Sequence, residues 1–249
     1  MILYILVMFT LIGSSSQQDL GFVRHVSQNF HEKINSKLEQ QILSFHNQEL
    51  ALRAYASYFG RADVNLLGFK KLLTGLRDRA LDNALSVTTF INDRGGRVRF
   101  PVVQLKDACN EITKSLTSYD ILHPSFAASG RTQPHICNFL TTSAVSKKRN
   151  PADDNDNSDD DTRDNWRAGL YALEDTLALE KSINNGLINL AKEATKFSDP
   201  QTRDHVENFI DKQVEIIQKL AEIITKLRRY QQDDEYILGE YLINNELES

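Results

Sequence analysis

Four long stretches of this chain place apolar residues at alternating steps of three and four, the spacing that gathers side chains on one face of an α-helix. The first runs from about His31 to Phe59 and carries Leu38, Ile42, Phe45, Leu52, Ala56 and Phe59 on its stripe, with Glu49 among them. Gly60 and Asp63 break it. The second runs from about Leu66 to Asn92, with Leu66, Phe69, Leu73, Leu76, Ala80, Val87 and Phe90 on the stripe and Asn83 as its polar exception. Arg94-Gly95-Gly96-Arg97 ends it, glycine just past the last turn being a common helix stop. The third, from about Arg163 to Lys196, shows Trp166, Leu170, Leu173, Leu177, Leu187 and Ala191, interrupted by Glu180 and Asn184. Asp199-Pro200 marks the turn into the fourth, about Gln201 to Arg229. Its stripe is Val206, Phe209, Val214, Ile217, Leu220, Ile224 and Leu227, with Gln213 close to the centre of the face. A short fifth helix follows over about Asp234 to Asn244, carrying Tyr236, Ile237, Tyr241 and Leu242.

Four helices with one apolar stripe each predict an all-α fold: a four-helix bundle with left-handed packing and a short fifth C-terminal helix. The connection between the second and third helices is long enough to cross the bundle, so those two run parallel. This 99–163 insertion is different material. Pro101, Pro134 and Pro151 punctuate it, and Asn150 to Asp164 holds seven aspartates and almost nothing apolar. Such a tract buries too little surface to offset its ordering entropy and reads as a solvated acidic loop. It lacks the central glycine and closing glutamate of an EF-hand.

Composition narrows the picture further. Hydrophobic content of 41% and charged content of 25% are ordinary for a globular protein, and five prolines with eleven glycines suit long helices. A net charge of −5 gives no electrostatic case for nucleic acid or an anionic membrane. Met1 to Ile12 is apolar apart from Tyr4 and Thr10, and Gly13-Ser14-Ser15-Ser16 follows. That pattern predicts a signal peptide over residues 1–16, too short to anchor the chain in a membrane. Secretion agrees with Cys109 and Cys137 as a candidate disulfide. No N-x-Ser/Thr sequon occurs.

The inward polar residues are the candidate chemistry. Glu49, Asn83, Glu180 and Gln213 lie on faces that should be buried, and an unpaired buried carboxylate is costly. They must hydrogen-bond into a polar cluster, hold a metal, or reach water. Bundles that hold two irons use paired glutamates and Glu-x-x-His motifs. This chain contains no Glu-x-x-His, and all six histidines fall away from the centre of the bundle.

Short strings far apart in the chain then become specific. Val26-Ser27-Gln28-Asn29-Phe30-His31 resembles the V-R-Q-N-[YF]-H that opens helix A of ferritins. Arg61-Ala62-Asp63-Val64 resembles their A–B turn, R-D-D-V. Asn92-Asp93-Arg94-Gly95-Gly96-Arg97 resembles the N-x-R-G-G-[RK] ending helix B, and Asn165-Trp166-Arg167-Ala168-Gly169-Leu170 the [DN]-W-x-[SN]-[GA]-L opening helix C. Leu179-Glu180-Lys181, Asp199-Pro200 and Gly239-Glu240-Tyr241-Leu242 are similar to later landmarks. The likeness covers residues 22–98 and 164–249, within a ferritin-like domain of 22–249, and needs no gap from Val26 to Gly95.

The resemblance implies a subunit of a hollow shell of twenty-four, made with itself or with other ferritin subunits, that stores iron as a mineral. In the register of the resemblance, the two-iron oxidation centre of heavy-type subunits would fall on Phe45, Leu52, Ala80, Asn83, Glu180 and Gln213. The first four are not the family's ligands, and Phe45, Leu52 and Ala80 offer iron no donor. Only Glu180 and Gln213 remain, with Glu49 one turn from Phe45 as a substitute ligand. On the cavity side, Asp78 and Asp82 stand beside Lys70, Lys71 and Arg79 and make a poor iron concentrator. Asp204-His205-Val206-Glu207 has the Asp-x-x-Glu form of the threefold iron channel, but the span from Asp199 to Gln213 is one residue shorter than the family pattern. The insertion would decorate the outer surface. A signal peptide with a long insertion at this point is similar to the secreted yolk ferritins of molluscs, which implies deposition in yolk or secretory vesicles. The expectation is an iron-storage subunit with its ferroxidase centre largely lost. The alternatives are residual oxidation at a degenerate site, or a structural or nutritive shell protein that carries little iron.

Overall fold

The computed structural model describes residues 26–118 and 167–249. Trp166, Cys137, the acidic tract and the predicted signal segment of residues 1–16 lie outside them. The first helix, α1, spans Glu32–Phe59, and His31 caps it by accepting the Lys33 N–H at Nδ1, 3.1 Å away. α2 spans Leu67–Asp93, α4 Ala168–Lys196, α5 Pro200–Leu227 and α6 Asp233–Glu248. α1 packs along α2, α4 along α5, and α1 against α4, which closes the four-helix bundle. α6 covers one end of it, against α2 and α5.

Between α2 and α4 the structure adds a helix that the periodicity reading missed. α3, Leu105–Ser118, lies against both α1 and α4. Ala108 and Ile112 are fully buried there, packed with Ala51, Ala178 and Leu179. Leu105, Ala108, Cys109 and Ile112 have helical spacing, but the helix is short and its proline-bearing surroundings masked it. The insertion is therefore not loop throughout. Cys109 of α3 is disulfide-bonded, and the chain has one other cysteine, Cys137.

Two stripes shift from the sequence reading. Val214 is 57% exposed, and Gln213 occupies the buried position beside it. On α2, Ala84 and Ile91 are buried where Asn83 and Phe90 were expected, and these two are half-buried. Steps of three and four leave one residue of latitude at the stripe edge, and packing resolves it.

The landmarks at one end of the bundle meet in space. Asp199 caps α5 by accepting the Thr202 N–H at 3.0 Å and the Thr202 hydroxyl at 2.7 Å, with Pro200 in the first turn. Arg94, just past α2, pairs with the same carboxylate at 3.0 Å, donates to the Gln28 carbonyl at 2.9 Å and lies over the Phe30 ring. Gly95 takes φ 73°, a left-handed turn that only glycine adopts readily. At the opposite end, Glu240 of α6 accepts the Gly169 N–H at 2.8 Å and the Tyr236 hydroxyl at 2.9 Å. Tyr236 in turn accepts the Leu170 N–H at 3.0 Å. The first free N–H groups of α4 are thus satisfied by α6, which locks the fifth helix onto the bundle.

Candidate functional site

Besides the small cluster under α3, the core has two larger apolar clusters. One gathers Leu52, Phe59, Phe69, Leu73, Leu177 and Leu220, and the other Phe45, Ala84, Ile183, Leu187 and Phe209. Between them in the sequence of α2, α4 and α5 lies a polar layer. Glu180 of α4 is fully buried and Gln213 of α5 is 1% exposed. The Gln213 side-chain amide donates to the Glu180 backbone carbonyl at 3.0 Å and also to its carboxylate.

The third member of the layer is Arg79 of α2. Its Nη2 donates to Glu180 Oε1 at 2.6 Å and its Nη1 to Gln213 Oε1 at 3.2 Å. The sequence placed Arg79 among the cavity-side cations, whereas its guanidinium reaches inward. A long aliphatic stem lets Arg keep its Cα at the edge of a stripe and its head well inside. Two signals could have found it: Glu180 needs a buried counter-charge, and Ala80 beside Arg79 leaves room in the core. A carboxylate that accepts an arginine and an amide has its charge compensated. To bind there, a divalent cation would have to displace a cation already in place.

Around this layer the side chains are mostly apolar. Phe45 is 1% exposed and its ring is tilted against Phe209 with centroids 6.0 Å apart. Leu52 and Ala80 are fully buried, and none of the three offers a donor atom. Asn83 is half-buried. Glu49 does not enter the layer: it lies half-buried on α1 and pairs with Arg53 at 3.4 Å. Among the described residues, no three His, Cys, Asp or Glu side chains converge as a metal site.

The other candidate iron-handling residues are exposed and several are paired with cations. Asp78 accepts from neighbouring Arg77 at 2.6 Å, and Asp82 is exposed on the same helix. Asp204 and Glu207 are exposed near the start of α5, and Arg203 pairs with both, at 3.3 and 3.5 Å. His205 turns the other way, stacked on Phe90 with centroids 4.2 Å apart, and burial holds its pKa below the usual histidine value.

Two further buried acids were not singled out from the sequence. Glu174 accepts from Arg228 at 2.9 Å, and Asp175 accepts the Tyr55 hydroxyl. Both acids are shielded by these partners and serve the packing of α4 against α5 and α1. No helix among the described residues is long and apolar enough to cross a membrane.

Comparison with known proteins agrees with this architecture. A family model described as a ferritin-like domain matches residues 140–230. Yolk ferritin of Lymnaea stagnalis is 37% identical over 238 residues, covering 94% of each chain. The oocyte isoform of the ferritin light chain of Xenopus laevis is 30% identical over 224 residues, covering 88% of this chain and 93% of its own. Soma ferritin of Lymnaea stagnalis is 27% identical, covering 90% and 95%. With the bundle, its fifth helix and relatives matched over nearly their whole length, the chain belongs to the ferritin family of shell-forming iron-storage proteins.

Proposed function

We propose that this chain is a secreted, yolk-type subunit of a twenty-four-subunit iron-storage shell that does not oxidise iron within its own bundle. The observation that carries the reading is the Arg79–Glu180–Gln213 cluster, with Nη2 of Arg79 2.6 Å from Glu180 Oε1. Oxidising a pair of Fe(II) ions needs carboxylate and imidazole donors free to bind them. Here one remaining carboxylate is bonded to a guanidinium, and Phe45, Leu52 and Ala80 fill the surrounding space. Like-charge repulsion from Arg79 opposes any cation that approaches Glu180. Iron then enters storage already oxidised, or is oxidised by active subunits sharing the shell. The likeness to a yolk ferritin and the apolar Met1 to Ile12 segment support secretion.

The test is aerobic Fe(II) oxidation by the assembled shell, supplied with roughly two irons per subunit. Two restored shells are measured beside it. One carries Phe45→Glu, Leu52→Tyr, Ala80→Glu and Asn83→His, and the other adds Arg79→Gln. The wild type is expected to match the protein-free rate, and the variant without Arg79 to be the faster of the two restored shells. A fast wild type overturns the reading.

A further inference from the structure

α3 lies along the outer seam between α1 and α4, and the way it is held there is unusual for a permanent part of a core. Two apolar side chains, Ala108 and Ile112, are fully buried in the seam. Between them Glu111 turns into it as well. Its carboxylate accepts from Asn47 Nδ2 of α1 at 3.2 Å and from the Ser182 hydroxyl of α4 at 3.3 Å, and is hydrogen-bonded by Ser44 of α1. Ser44, Asn47, Gln48 and Ala51 form one stripe of α1 at helical spacing. On that stripe Gln48 is 1% exposed, and neither its amide oxygen nor its nitrogen has a partner; Asn47 Oδ1 has none either.

We propose that α3 is a releasable strap, latched to the bundle by Glu111, whose undocking bares a polar groove between α1 and α4 on the outside of the subunit. Three observations converge on it. Beside the small apolar cluster of Ala108 and Ile112 with Ala51, Ala178 and Leu179, the seam carries amides and hydroxyls, groups that water serves as well as a covering helix does. Release would expose a small apolar cluster, Ala108 and Ile112 of α3 with Ala51, Ala178 and Leu179 beneath them, in which only Ile112 and Leu179 are large. The docked state also withdraws a carboxylate from water and leaves buried amide atoms unsatisfied, and release would relieve both.

The latch is sensitive to protons. Burial pushes the Glu111 carboxyl above its usual range, and the bonds from Asn47, Ser44 and Ser182, with the charge of Lys114 on α3, only partly oppose this. The donors facing it from α1 and α4 are neutral. A carboxyl whose pKa is raised in the docked form favours docking below its ordinary pKa. That contribution is lost as pH rises through the raised value. Acid therefore closes the strap and rising pH loosens it. This inference is independent of how the shell handles iron.

Hydrogen exchange read by mass spectrometry on the assembled, disulfide-intact protein tests it, with residues 105–118 corrected for intrinsic exchange at each pH. In the wild type, protection of this segment is expected to fall by about tenfold per unit of the Glu111 shift as pH rises, while the centre of α4 stays protected. Glu111→Gln, which keeps an acceptor and cannot ionise, is expected to abolish the pH dependence. Ile112→Ala is expected to raise exchange in 105–118 at every pH and leave α4 unchanged. Wild-type protection of α3 that is independent of pH overturns the proposal, as does an unchanged slope in Glu111→Gln. So does loss of protection in α4 together with α3 in Ile112→Ala, which would make α3 part of the core.

Discussion

Removing Arg79 is the most direct perturbation of the polar layer. Glu180 is fully buried, and Arg79 is the cation paired with it there. In Arg79→Ala the carboxylate keeps the Gln213 amide but loses its counter-charge, and Gln213 Oε1 loses a donor. Deleting one member of a buried ion pair costs about 3–5 kcal/mol. The Arg79 side chain retains 20% of its exposure, so solvent reaches the vacated space and the lower end applies, about 3 kcal/mol. For a domain of this size that corresponds to a fall in Tm of roughly 6–12 °C. Calorimetry and denaturant titration at matched subunit concentration read it. The double variant Arg79→Met/Glu180→Met separates pair from packing. Replacing both charges by apolar groups is expected to recover most of the loss, because neither desolvation penalty then remains. An Arg79→Ala shell within about 0.5 kcal/mol of wild type would refute the reasoning, since that is the range of an ordinary surface substitution.

Other outcomes follow from the ends of the bundle. In Gly169→Ala the new methyl would meet Glu240 Oε1 at 2.6 Å and Phe69 Cζ at 2.9 Å, so α6 must shift; about 1–3 kcal/mol of stability and faster proteolysis after Leu227 are expected. Burial raises the Glu240 pKa despite its bonds from Gly169 and Tyr236, so its contribution is full below the ordinary carboxyl value and is lost as pH rises through the raised one. Glu240→Gln should flatten that part of the Tm–pH curve, and an unchanged slope would count against it. Asp199→Ala removes the α5 cap and the partner of Arg94 together, and a loss of about 2–4 kcal/mol is expected by denaturant titration.

Much of the architecture was legible because it rests on local rules. Helix ends at Phe59 and Lys196 fall where Gly60 and Asp199-Pro200 announced them. Glu180 and Gln213 were recognisable as inward polar residues, since a charge on an otherwise apolar stripe is conspicuous. Arg79 was not, because its position on α2 reads as surface and only its length carries the guanidinium inward. Asn83 and Glu49 show the converse. Both sit near a stripe, yet one is only half-buried and the other pairs along its own helix with Arg53. α3 carries Leu105, Ala108, Cys109 and Ile112 at helical spacing, and it escaped notice because it is short and lies in a segment that its prolines and acidic tract marked as loop.

The sequence by itself determined that this chain forms long amphipathic helices, where most of them stop, and which inward positions carry polar residues. Those properties depend on spacing and on the chemistry of single residues. Only the tertiary structure decided how those polar residues are compensated. That Arg79 supplies the counter-charge of Glu180, that Glu240 caps a helix seventy-one residues away, and that Glu111 finds donors on two other helices depend on side chains meeting across the bundle. Such meetings follow from packing and from the need to compensate every buried charge, and no periodicity along one helix encodes them.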